Sequence, residues 1–211
     1  MRTDDLIAHL SEGLQPVRKA AVAGTLAIGL AIGILGSSLL MLATIGIRPD
    51  LLVAMAGGAF WMKFTYTLVI AGLGLWMVER QGRPGAEVTQ PLALLALPVA
   101  AILVLMAIQL APTNVDRHAL IMGHSAKVCA LLIVFLAMPL FGGIFWALRQ
   151  LAPTRLMQAG AAAGLLAGGT AATIYAFHCP ESAAPFVAIW YTSGILVTTL
   201  LGAAMGRWLR W

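Results

Sequence analysis

The chain has 211 residues, of which 61% are hydrophobic and 10% charged, with a formal charge of +5 and a mean hydropathy of +0.93. This is far more apolar surface than one globular core absorbs, so the composition excludes a soluble domain and implies an integral membrane protein. No glycine-rich phosphate loop, His-Glu-x-x-His, Gly-x-Ser-x-Gly or paired-carboxylate arrangement occurs, which leaves hydrolase and nucleotide-driven functions without support.

The polar opening "MRTDDLIAHLSEGLQPVRK" comes first. Leu6, Ile7, Leu10, Leu14 and Val17 recur at helical spacing, with Asp4, Asp5, His9, Glu12 and Gln15 elsewhere around the wheel. Thr3 suits an N-cap, Asp4 and Asp5 favour the positive end of the dipole, and Pro16 discourages continuation. The pattern predicts a short amphipathic helix over about residues 4 to 15. Alone it is too short to be stable in water, so its apolar stripe needs lipid, the membrane domain or a partner. Surface-lying membrane helices are rich in Lys and Arg, and this one has acids instead, which tilts the reading toward a protein partner. Residues 1–19 are polar and the first apolar run is long, so that run reads as a retained anchor rather than a secretory signal.

A transmembrane helix needs about 20 apolar residues. Six runs qualify, at 21 to 46, 54 to 78, 91 to 111, 126 to 147, 156 to 177 and 184 to 205. The expected fold is therefore all-α: a six-helix transmembrane domain over residues 20–211 behind a cytoplasmic segment over 1–19. With the N-terminus inside, nine basic residues fall on the inner side (Arg2, Arg18, Lys19, Arg80, Arg83, Arg149, Arg155, Arg207, Arg210) and three outside (Arg48, Arg117, Lys127). That asymmetry fits the positive-inside rule. It places both termini in the cytoplasm, and it makes the basic excess a matter of topology, with no direct nucleic-acid binding. Gly29 and Gly33 in the first run, and Gly160, Gly164 and Gly168 in the fifth, offer smooth faces for close helix approach.

Little in the runs carries chemistry. Lys63 is the only ionisable residue well inside a run, and with no Asp or Glu in any run to pair with it, the expectation is that it snorkels to the outer face. Trp61, Trp76, Trp190, Tyr191, Trp208 and Trp211 read as interfacial anchors. The two cysteines, Cys129 at the start of the fourth run and Cys179 just after the fifth, fall at the same outer level. Three readings stand for them: small buried apolar residues, a permanent disulfide, or a reversible thiol pair that senses oxidants or transiently binds a thiophilic metal ion with His178, His124 or His118 as candidate ligands. No cofactor is required by any of these. A membrane thiol-disulfide oxidoreductase is the enzymatic alternative, but two cysteines make an incomplete electron relay. A small-solute transporter has only Lys63 as a coupling group.

The opening "MRTDDLIAHL", the "APTR" at 152–155 followed by "AGAAAGLLAGG", then "YAFHCPESAAPFVAIWYTSG" and the terminal "RWLRW" resemble the NrsF-type family of membrane anti-sigma factors. The resemblance runs from residue 3 to the C-terminus. It implies a non-enzymatic, six-span protein of the bacterial inner membrane that holds an extracytoplasmic-function (ECF) sigma factor inactive on the cytoplasmic side. It also implies that Cys129 and Cys179 face the periplasm and respond to heavy metals or oxidants. The sequence lacks the zinc-binding domain with a His-x-x-x-Cys-x-x-Cys motif found in many soluble anti-sigma factors, and the expected sigma-binding surface is the N-terminal helix through Leu6, Ile7, Leu10 and Leu14, together with the loops at 79–88 and 149–155.

Overall fold

The computed structural model describes residues 3, 5, 6, 21–83, 88–151 and 153–209. Thr3, Asp5 and Leu6 are helical with exposed side chains, while Ile7, Leu10 and Leu14 lie outside the described residues. Among the described residues there is no strand. The helices are α1 (Ala21–Thr44), α2 (Leu51–Ala56), α3 (Gly58–Gln81), α4 (Thr89–Leu94), α5 (Ala96–Leu110), α6 (Arg117–Met122), α7 (Ala126–Leu151), α8 (Leu156–Tyr175), α9 (Ala184–Phe186) and α10 (Thr192–Met205). A π-turn, Val187–Tyr191, joins α9 to α10, and a 3₁₀ turn, Gly206–Leu209, follows.

Among the described residues, five helical stretches are long and apolar enough to cross a membrane: Val22–Thr44, Gly58–Gln81, Thr89–Leu110, Arg117–Leu151 and Ala184–Leu209. The sequence predicts a sixth over 156 to 177, where the structure has α8. This helix has 20 residues, about 30 Å at 1.5 Å per residue. It differs from the five in being built from Ala, Gly and Thr. Those small residues put it at the centre of the bundle, with α10, α3 and α7 around it and most of its side chains buried.

Backbone contact at glycine sets the registers. Gly160, Gly164 and Gly168 of α8 meet Gly202, Thr198 and Ile195 of α10 in descending order, so the two helices run antiparallel along their length. A Cβ on Gly164 would lie 2.8 Å from the Thr199 Cα. On the neighbouring side Gly74 of α3 meets Leu166 and Gly169 meets Ala71, again antiparallel. α1 packs on α7 in the same way, Gly29 on Gly143, Gly33 on Leu140 and Gly36 on Pro139. Lipid tails are as apolar as these side chains, so close packing and buried hydrogen bonds hold the helices together. Thr173 donates to the Thr67 hydroxyl (3.0 Å), Tyr66 and Thr192 share a bond of 2.6 Å, and Gln81 donates to Gln158 (3.3 Å). Each such bond contributes on average about 0.6 kcal/mol in a membrane. α5 is the exception to this packing, since only Ile102 on it is buried.

Candidate functional site at the cysteine end

α8 ends in a turn in which the backbone N–H groups of Phe177, His178 and Cys179 donate to the carbonyls of Ile174, Tyr175 and Tyr175. That turn points Cys179 back toward Cys129, which sits in the first turn of α7. Both thiols are free and fully buried. The Cys129 and Cys179 side chains lie close enough to share a hydrogen bond, and Ser125 Oγ lies 3.9 Å from the Cys179 sulfur. The two cysteines are small, fully buried residues side by side, and neither is in a disulfide.

The surroundings favour a negative sulfur at Cys179. Its thiol is held below the ordinary range, first by the hydrogen bond with Cys129 and then by the Lys63 charge, with burial working in the opposite direction. Tyr175 and Tyr191 are buried beside the pair, their rings 5.7 Å apart. The Tyr191 hydroxyl faces the Cys179 sulfur. This corrects the expectation of an interfacial anchor: the π-turn carries Tyr191 inward.

Lys63 also departs from expectation. It does not snorkel to water. Its side chain is fully buried and its Nζ donates to the carbonyls of Cys179 (2.8 Å) and Glu181 (2.7 Å), 5.7 Å from the centre of the Tyr191 ring. Burying an ammonium costs several kcal/mol. Two charge-assisted bonds, each contributing about 1.5–3 kcal/mol, and the adjacent sulfur offset that cost. Sequence reasoning sought a carboxylate partner and found none, because the partners are main-chain carbonyls.

Arg48, read from the sequence only as an outer-side charge, meets the same loop from the other side. Its backbone N–H donates to the Phe177 carbonyl (3.2 Å), and Nη1 reaches the carbonyls of Cys179 (3.3 Å) and Pro180 (3.4 Å). Asp50 fixes the guanidinium through bonds of 2.7 and 2.6 Å. The Asp50 carboxyl is held below its usual range by that pairing. The Arg-Pro-Asp spacing at 48–50 was the available signal.

Two of the three candidate metal ligands, His178 and His124, have other partners. His178 Nδ1 donates to the Gly46 carbonyl (3.0 Å), which Gly46 presents from a left-handed turn at φ 70°. The Glu181 carboxylate accepts from the His124 backbone N–H at 2.8 Å, with the His124 ring 3.3 Å away. Gly123, at φ 47°, makes room, since a Cβ there would lie 2.6 Å from the Glu181 carboxyl carbon. His118 is exposed on α6. Among the described residues no three His, Cys, Asp or Glu side chains come together as a metal-binding group.

At the opposite end lie Arg80 and Arg83 of the α3 end, Arg149 of α7, Arg155 and Arg207. Arg83 pairs with Glu79 (2.6 Å), Arg80 stacks over Trp76 at 5.3 Å, and Arg149 donates to the Trp208 carbonyl (3.2 Å).

Comparison with known proteins gives one consistent result. The profile of the family described as "NrsF: Negative regulator of sigma F" matches residues 10–211. A relative from Caulobacter vibrioides, "Anti-sigma-F factor NrsF", is 40% identical over 222 residues, covering 100% of both chains. Another from Azospira oryzae, "Probable anti-sigma-F factor NrsF", is 39% identical over 213 residues, again with 100% of both covered. No solved structure matches the chain.

Proposed function

Because the chain belongs to the NrsF family of negative regulators of sigma F, a regulatory family and not an enzymatic one, we propose that it holds an ECF sigma factor at the cytoplasmic face of the bacterial inner membrane. Release follows when Cys129 and Cys179, on the periplasmic side, react with an oxidant or a thiophilic metal ion. The single observation that carries the sensing half is the pair of free, buried sulfurs in contact, with Cys179 held toward thiolate.

α8 serves as the sixth crossing. It runs antiparallel to α10 from Gly160 to Gly168, so it traverses the thickness that the Ala184–Leu209 stretch traverses. Six crossings return the C-terminus to the side of the N-terminus. The exposed Leu6, together with Ile7, Leu10 and Leu14, supplies the sigma-binding stripe, each side chain contributing about 1.5–3 kcal/mol when fully buried.

With a peroxide as oxidant, the Cys179 thiolate and the Cys129 thiol give up two electrons. A disulfide forms, and hydrogen peroxide is reduced to one water and one hydroxide. A thiophilic metal ion instead takes both sulfurs as ligands and displaces the proton of Cys129.

The test is co-purification of the ECF sigma factor with the detergent-solubilised full chain. Retention under reducing, metal-free conditions and loss after peroxide or a soft metal ion are expected. Failure to retain any sigma factor in the reduced state would overturn the reading.

A further inference from the structure

Oxidation or metal binding takes place on the two sulfurs, and the Lys63 charge assists it by favouring the Cys179 thiolate, but that role alone does not call for the two carbonyl bonds Lys63 makes. Lys63 spends two donors on carbonyls two residues apart, those of Cys179 and Glu181, while Arg48 takes the carbonyls of Phe177, Cys179 and Pro180 from the aqueous side. The loop between α8 and α9 is thus gripped along its carbonyl edge by two cations on different elements. Lys63 belongs to α3, whose backbone touches α8 at Gly74 and Gly169 and whose Thr67 bonds Thr173. The same helix ends at the opposite face with Glu79 and Arg80.

We propose that Lys63 is the positioning residue through which the thiol pair is read by the bundle: it clamps the 179–181 carbonyls, keeps both sulfurs shut away, and passes displacement of that loop into α3. The inference rests on Cys129 and Cys179 being the sensor. A disulfide needs its sulfurs about 2.05 Å apart, closer than any S–H···S hydrogen bond. Forming it pulls Cys179 toward Cys129, and any part of that movement taken up by the main chain works against the Lys63 bonds of 2.8 and 2.7 Å to the Cys179 and Glu181 carbonyls. Either those bonds break or α3 follows. Breaking them costs Lys63 either its acceptors or its proton, a cost that is avoided when α3 follows.

The experiment uses the full chain in proteoliposomes, with labelling of Cys179 by a membrane-impermeant maleimide, resolved by mass spectrometry, and co-purification of the ECF sigma factor. Corrected for the thiolate fraction, which loss of the Lys63 charge lowers, the Cys179 labelling rate in Lys63→Met is expected to rise about tenfold or more, the factor set by losing a bond to a charged group. Lys63→Met is also expected to release the sigma factor while both thiols stay reduced. Lys63→Arg, which keeps donors for both carbonyls, is expected to restore both readouts, and Arg behaving as Met would assign the effect to lost packing and overturn the clamp. Arg48→Gln should move both readouts in the same direction, less far. It decides the matter if Lys63→Met does not accumulate in membranes: unchanged labelling in Arg48→Gln overturns the proposal. Labelling that rises without release overturns it as well. Should Cys129→Ser and Cys179→Ser still release the partner under stress, the sensor reading itself has failed. Should those block release while Lys63→Met leaves labelling unchanged, the clamp alone has failed.

Discussion

Cys129 and Cys179 are fifty positions apart and each is fully buried, so substitution at either tests chemistry and packing together. Serine is close to cysteine in size, and at position 129 its hydroxyl can donate to the Cys179 sulfur. Neither residue is in a disulfide, so no cross-link is lost. Both Cys129→Ser and Cys179→Ser are expected to reach near wild-type abundance in membranes and to keep the sigma factor bound when the cell is stressed. Immunoblots of membrane fractions and co-purification check the two halves separately. A fall in abundance would instead indicate that a structural disulfide forms in the cell. At this scale the sequence disclosed the sulfurs but not their setting. The "HCPE" stretch marked Cys179, whereas Tyr191 looked like an interfacial ring and Lys63 like a stray charge. The reason is physical: a main-chain carbonyl is present at every residue and leaves no trace in a pattern of side-chain types.

Helix positions were largely legible because an apolar run near bilayer length has few alternatives. The first run, 21 to 46, corresponds to α1 at Ala21–Thr44, and the glycines four apart in the fifth do lie on close contacts. The sequence could not show which helix each glycine meets, nor the short helix α6 within the stretch read as a loop over 111–127. Register now gives a sharp contrast between glycines. Gly164→Val places a Cβ 2.8 Å from the Thr199 Cα and forces α8 from α10. Overpacking of this kind costs about 1–3 kcal/mol, so the thermal midpoint of the detergent-solubilised protein should fall. Gly142→Ala on α7 has nothing within 4 Å of the new Cβ. It should leave that midpoint unchanged or raise it, since Ala is favoured over Gly in a helix by about 1 kcal/mol.

For the whole molecule the orientation decides whether the cysteine end meets an oxidising compartment. The charge distribution predicts that a reporter active only in the periplasm will be silent when fused after Trp211 and active when fused after Ser182. The reverse pattern would put the thiols in the reducing cytoplasm and remove the case for sensing. The bundle also has an uneven construction. α1, α3, α7, α8 and α10 pack closely, whereas α5 stands apart with only Ile102 buried. α5 touches α3 only lightly, directly and through α4, and is attached mainly through α9 and the π-turn, where Gln109 accepts from the Ala184 backbone N–H at 2.9 Å. The segment that bears Cys179 is therefore also the tether of a helix long and apolar enough to cross a membrane. Under the proposed function, displacing that segment would change the footprint of the protein in the plane of the bilayer, and the work done against lateral pressure would become part of the threshold for release.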